Sequence, residues 1–127
     1  MDEYELFDIA ATYQELGYSW ITVFITVFSA YLVVAYAVGK KLSTFQVMVI
    51  TSCFIIFGGL CIFGAYGTLV QCIRLYEEIM RLNPTRQFFL TMPVAVVSVA
   101  ILCSGVVVAV WFMFNTRRQR IEQSGHK

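Results

Sequence analysis

Residues 16–39, 42–73 and 87–116 contain no Asp, Glu, Lys, Arg or His, and this absence is the strongest signal in the chain. A soluble helical bundle carries charge on the exposed face of every helix, so three uncharged stretches of this length argue against one. Each stretch exceeds the roughly 20 apolar residues that cross a hydrocarbon core about 30 Å thick, and none is long enough to cross it twice. Histidine is nearly missing as well. The single one, His126, stands next to the end, which excludes a bis-histidine haem, an HExxH zinc site or a Ser/His dyad built within the bilayer by one chain. Intramembrane chemistry is normally carried by ionisable residues, so neither an enzyme nor a proton relay is expected, and no cofactor or metal. Cysteine is sparse, and no CxxC occurs among Cys53, Cys61, Cys72 and Cys103. On one helix Cys53 and Cys61 are separated by about 12 Å of rise, too far for a disulfide. All four read as small, reduced packing residues.

What is present is apolar. Of 127 residues, 59% are hydrophobic, 16% aromatic and only 13% charged, outside the usual composition of a soluble domain. The fold class is therefore all-α, an integral membrane protein with three transmembrane helices spanning about 18–38, 46–71 and 90–114. Residues 1–17 form an acidic, amphipathic segment on the outer side, either lying at the interface or running straight into the first span. Residues 18–120 hold the three-helix domain, and 121–127 form a flexible tail. The first span is not a removable signal peptide, because its flank carries Asp2, Glu3, Glu5 and Asp8 where such a peptide is basic.

Local punctuation divides the helices. Gly39 closes the first, and Ser43-Thr-Phe-Gln46 has the form of a capping box that opens the second. From Thr44 to Leu82 no breaker occurs, a length of about 58 Å, more than the bilayer can hold. Asn83 and Pro84 together make an N-cap followed by a first-turn proline, which predicts that the third helix starts there. On that basis Pro93 falls inside the helix and kinks it. Helices 2 and 3 then make a long hairpin projecting on the outer side. Lys40, Lys41, Arg117, Arg118, Arg120 and Lys127 fall on one side of the membrane, so the positive-inside rule puts the C-terminus in the cytoplasm and the N-terminus outside the cell membrane. The short RRQR run is a topology signal, and no nucleic-acid partner is expected.

The apolar stretches are patterned. At 100° per residue, Ser19, Thr22, Thr26, Ser29, Val33 and Tyr36 share an arc of about 100°, opposite Trp20, Phe24, Phe28 and Tyr31. In lipid, small and hydroxyl side chains bring helices together because hydrophobic drive is missing. The hydroxyl seam is thus expected to meet protein, or to line a pore, and the aromatics to meet lipid. Helix 2 adds Ser52, Cys53, Gly59, Gly64, Gly67 and Thr68 as a small-residue surface, and helix 3 adds Ala95, Ser98, Gly105 and Ala109. On the outer side, Asp2, Glu3, Glu5 and Asp8 are expected to contact Arg74, Arg81 and Arg86. The expected partners are the lipid bilayer and either further copies of the chain or other membrane subunits. The expected role is non-catalytic: a self-associating protein or an accessory subunit of a larger membrane complex, with a homo-oligomeric channel lined by the Ser/Thr seam as the alternative.

Overall fold

The computed structural model describes residues 2–85, 87 and 91–125. These form three helices, α1 (Glu3–Val38), α2 (Thr44–Leu82) and α3 (Met92–Ser124). All three are long and apolar enough to cross a membrane. Arg86, His126 and Lys127, and the side chain of Arg120, lie outside the described residues.

The acidic N-terminal segment runs straight into the apolar part of α1 as one uninterrupted helix. Glu3 and Glu5 occupy its first turn, where carboxylates complement the positive end of the helix dipole. The capping box of α2 is present: the Gln46 amide donates to Ser43 Oγ at 3.2 Å, and the Ser43 amide donates to Gln46 Oε1 at 2.9 Å. Two free backbone donors are satisfied together.

The start of α3 differs from expectation. Asn83 ends α2 as its C-cap, and Pro84 lies in a turn. The third helix begins at Met92, with Thr91 as its N-cap in extended conformation and Pro93 in its first turn. Pro93 therefore introduces no kink, since its missing N–H falls where no intrahelical bond would form. Both prolines carry helix-start chemistry, and packing decides between them. The first buried residue of α3, Ala95, packs on Leu69 and Ile73 of α2, well short of the end of α2 at Leu82. At its other end α3 continues helically through Ser124.

The α1 and α2 helices form an antiparallel pair along their length. Going down from the free end of the pair, the contacts are Ala10 with Cys72, Gly17 with Thr68, Trp20 with Gly64, Phe24 with Gly58 and Tyr31 with Thr51. The third helix leans into the groove between them. Toward the Lys40 end, one apolar cluster joins all three: Tyr31 and Ala35 of α1, Val47 and Phe54 of α2, Ala109 and Met113 of α3. From Cys72 to the free end, the described contacts are between α1 and α2, a stalk held by Leu6, Ala10, Cys72, Tyr76 and Ile79.

Candidate functional site

The aromatics of α1, expected to face lipid, instead turn into the bundle. Ala10, Gly17, Phe24 and Tyr31, spaced every seventh residue, are the buried ones, together with Leu6 and Ala35. Trp20 and Phe28 are half-buried beside them. The aromatics thus pack between helices instead of facing outward. They fit because the opposing residues are small: Trp20 lies on Gly64, Phe24 reaches Gly58, and Phe28 reaches Gly105. Ser19, Thr22, Thr26, Ser29, Val33 and Tyr36 are all exposed, with Tyr36 at 80%. Among the described residues the hydroxyl seam thus faces away from the bundle. The hydroxyls of Ser19, Thr22 and Thr26 donate to the carbonyls of Glu15, Tyr18 and Thr22, four residues back, at 3.0, 2.9 and 3.0 Å. Their donor hydrogens are satisfied by their own helix, and the threonine methyls are left to make contact.

The small residues of α2 and α3 divide between two surfaces. Gly64, Ser98, Gly105 and Ala109 lie at contacts within the bundle, with Ala109 fully buried. Ser52, Gly59 and Gly67 are exposed on the far side of α2. A Cβ added at Gly64 would fall 2.6 Å from Trp20 Cε2, so that glycine is required by the fold. A Cβ at Gly59 or Gly67 would meet nothing within 4 Å. Glycine inside a helix costs about 0.5–1 kcal/mol relative to alanine, and no contact among the described residues offsets that cost at either position.

On the stalk, the N-terminal segment does dock on α2 of its own chain, but the contacts that dominate are apolar and neutral-polar. Tyr76 donates its hydroxyl to Gln14 Oε1 at 2.7 Å, and the Cys72 thiol points at the Ala10 carbonyl, 3.5 Å away. Burial, with the adjoining Cys72 thiol, pushes the Tyr76 phenol up to about 12. Burial likewise pushes the Cys72 thiol up, partly countered by its bond with Tyr76. Asp2, Glu5, Asp8, Arg74 and Arg81 are exposed and Glu3 is half-buried. Leu6, Glu78, Arg81 and Leu82 line one shallow groove at the stalk end.

A Tyr76→Phe substitution is expected to cost about 0.5–1.5 kcal/mol at neutral pH through loss of this bond. The neutral phenol is the form the fold favours, so its contribution is complete below pH 10 and disappears as pH rises toward about 12. Stability measured against pH should therefore fall over that window in the wild type relative to Tyr76→Phe. Parallel curves would show that burial does not hold the phenol neutral, and equal stabilities at neutral pH would show that the bond makes no contribution.

Two further features have chemical interest. An apolar groove of about 440 Å³ runs between α1 and α3, lined by Ile21, Ile25, Ser98, Ile101, Leu102 and Gly105 among others. Among the described residues, no cluster of three His, Cys, Asp or Glu side chains is placed to hold a metal ion. The four cysteines are unpaired thiols, Cys61 and Cys72 buried, Cys53 and Cys103 exposed.

The fold defines a class: an all-helical bundle of three helices long and apolar enough to span a membrane. Comparison with protein families, with curated proteins and with solved structures finds no match.

Proposed function

We propose that the chain is a non-catalytic, multi-pass protein of the cell membrane that works by association, with its own copies or as a subunit of a larger membrane complex. The N-terminus and stalk lie outside and the C-terminus in the cytoplasm, as the basic residues at the Lys40 end favour. One observation carries this reading. The outward faces of α1 and α2 hold the residues that promote close helix approach in lipid, exposed hydroxyls on α1 and, on α2, Gly59 and Gly67, around which a Cβ meets nothing among the described residues. The same helices already bury a complete seam on their inner faces, so the outer residues are surplus to folding. A channel lined by the α1 hydroxyls is the weaker alternative, because Ser19, Thr22 and Thr26 spend their hydrogens on their own backbone.

Copy number counted by photobleaching in lipid nanodiscs or vesicles tests the proposal. The wild type is expected to be multimeric or to co-purify with a stoichiometric membrane partner. Gly59→Leu/Gly67→Leu adds bulk where the chain itself has open space, so it should weaken association by about 1–3 kcal/mol per site, the usual cost of overpacking, while leaving the bundle folded. A monomeric wild type without a partner would defeat the proposal. Ion flux from vesicles holding intact oligomers, reduced by Thr22→Leu/Thr26→Leu, would transfer it to the channel.

A further inference from the structure

The outward faces of α1 and α2 match one another at equal heights along the bundle, and this identifies how copies meet. The Ala10–Cys72 contact sets the level on the stalk. Asp8 and Arg74 each lie two residues beyond it toward the free end, about 3 Å of rise, so the carboxylate and the guanidinium stand at the same height. They point apart, for each is about 180° around its helix from the seam that joins α1 to α2. Both are exposed. On α1, Asp8 and Glu15 follow the outward centre line, which continues through Thr22 and Thr26. On α2 that line carries Arg74 and Arg81, with Glu77 and Glu78 flanking it about 60° and 40° to either side. Lower down, Phe24 packs on Gly58, which brings Thr22 and Thr26 level with open Gly59, on the Glu77 side of the outward α2 face and about 60° from the Arg74 line.

From this juxtaposition, resting on the proposed self-association, we infer that the partner is a second copy in the same orientation. The α1 outward face of one copy lies against the α2 outward face of the next, Asp8 opposite Arg74 and the Thr22/Thr26 methyls over Gly59. The two symmetric alternatives are disfavoured by charge. Pairing α1 with α1 in parallel sets Asp8 and Glu15 against themselves, and pairing α2 with α2 sets Arg74 against Arg74, and juxtaposed like charges select against a partner. A head-to-tail contact that uses two different faces repeats from copy to copy and closes into a ring when the rotation permits. The charges set register and orientation, while the methyl-on-glycine contact supplies the close approach.

Cysteine crosslinking in native-like bilayers reads the arrangement directly. All four native cysteines are replaced, and one population receives Asp8→Cys, another Arg74→Cys. The mixed sample is expected to give a covalent dimer under mild oxidation that neither population gives alone, and a chain bearing both cysteines should give a ladder of multimers. D8R or R74D should each weaken association by up to about fivefold, the limit for one exposed pair, and the double variant D8R/R74D should recover it. A dimer formed by Asp8→Cys chains alone, or oligomers that never crosslink between positions 8 and 74, would overturn this arrangement while leaving self-association standing. A wild type that is monomeric by photobleaching would instead remove the reading on which it rests.

Discussion

Gly64→Leu is expected to separate α1 from α2 and to be among the most destabilising substitutions in the chain. A Cβ at this position would fall 2.6 Å from Trp20 Cε2 and 2.7 Å from Cδ2, closer than packed atoms approach. The neighbouring contacts leave little slack: a Cβ at Gly17 would already stand 3.3 Å from Thr68 Oγ1, and Phe24 fills the space beside Gly58. Either the indole swings outward and gives up its contact with α2, or the helices part and the levels above and below open with them. Overpacking of a close contact costs about 1–3 kcal/mol and occasionally more, and Gly64→Leu is expected at about 3 kcal/mol. Gly59→Leu is the control, because a Cβ there meets nothing within 4 Å among the described residues, and it should change folding by less than about 0.5 kcal/mol. Reversible unfolding in mixed micelles, followed by Trp20 fluorescence in a Trp111→Phe background, compares the two. Trp111 is 65% exposed, so its replacement should disturb little. Equal costs at Gly64 and Gly59 would refute the inner and outer faces assigned to α2.

The contrast between those glycines also marks how far residue types alone define the molecule. Charge distribution was sufficient for the three helices, since an uncharged stretch of membrane length has few other uses. The capping box at Ser43 and Gln46 was legible because capping is local chemistry between residues three apart. The phase of the helices was not legible in the same way. Two seams run along α1, each with heptad-like spacing, and periodicity locates both without saying which one packs. The rule that small residues bring helices together favours the hydroxyl seam, whereas the chain buries Phe24 and Tyr31. What decides is complementarity across the pair: large side chains on α1 at the heights where α2 offers Gly58, Gly64 and Thr51. That signal exists in the sequence only once the two helices are put in antiparallel register, and the seven-residue spacing of Ala10, Gly17, Phe24 and Tyr31 is its trace.

The α3 boundary was ambiguous for a related reason. Asn83-Pro84 and Thr91-Met-Pro93 both satisfy the local requirements for a helix start, and the choice depends on where the neighbouring surface lies. On the stalk, the apolar packing among the described residues is that of Leu6, Ala10, Cys72, Tyr76 and Ile79. Exposed ion pairs contribute about 0–1 kcal/mol each, too little to outweigh an apolar seam of that length. Asp2, Glu5, Asp8, Arg74 and Arg81 remain exposed.

Phe54→Ala should cause the other large loss, and it tests the level at which all three helices meet. The Phe54 ring stacks on Tyr31 with centroids 4.1 Å apart and planes within 15°, and Phe28 approaches it at 6.4 Å. Ala35, Val47, Ala109 and Met113 enclose the same cluster, and the Tyr31 hydroxyl is 3.1 Å from Thr51 Oγ1. Truncating a core phenylalanine costs about 3–5 kcal/mol in a water-soluble protein, part of it transfer from water and part the cavity left behind. Between helices in lipid the transfer part shrinks, since acyl chains solvate the separated faces as well as the core does. What remains is the cavity and the aromatic pairing, itself worth about 0.5–1.5 kcal/mol, so Phe54→Ala is expected at about 2–3 kcal/mol. Phe57→Ala supplies the reference, because Phe57 is 58% exposed and its removal opens no cavity. Phe54→Leu, which keeps most of the volume, should fall between the two. A cost for Phe54→Ala no greater than that for Phe57→Ala would mean that α3 does not close this level of the bundle.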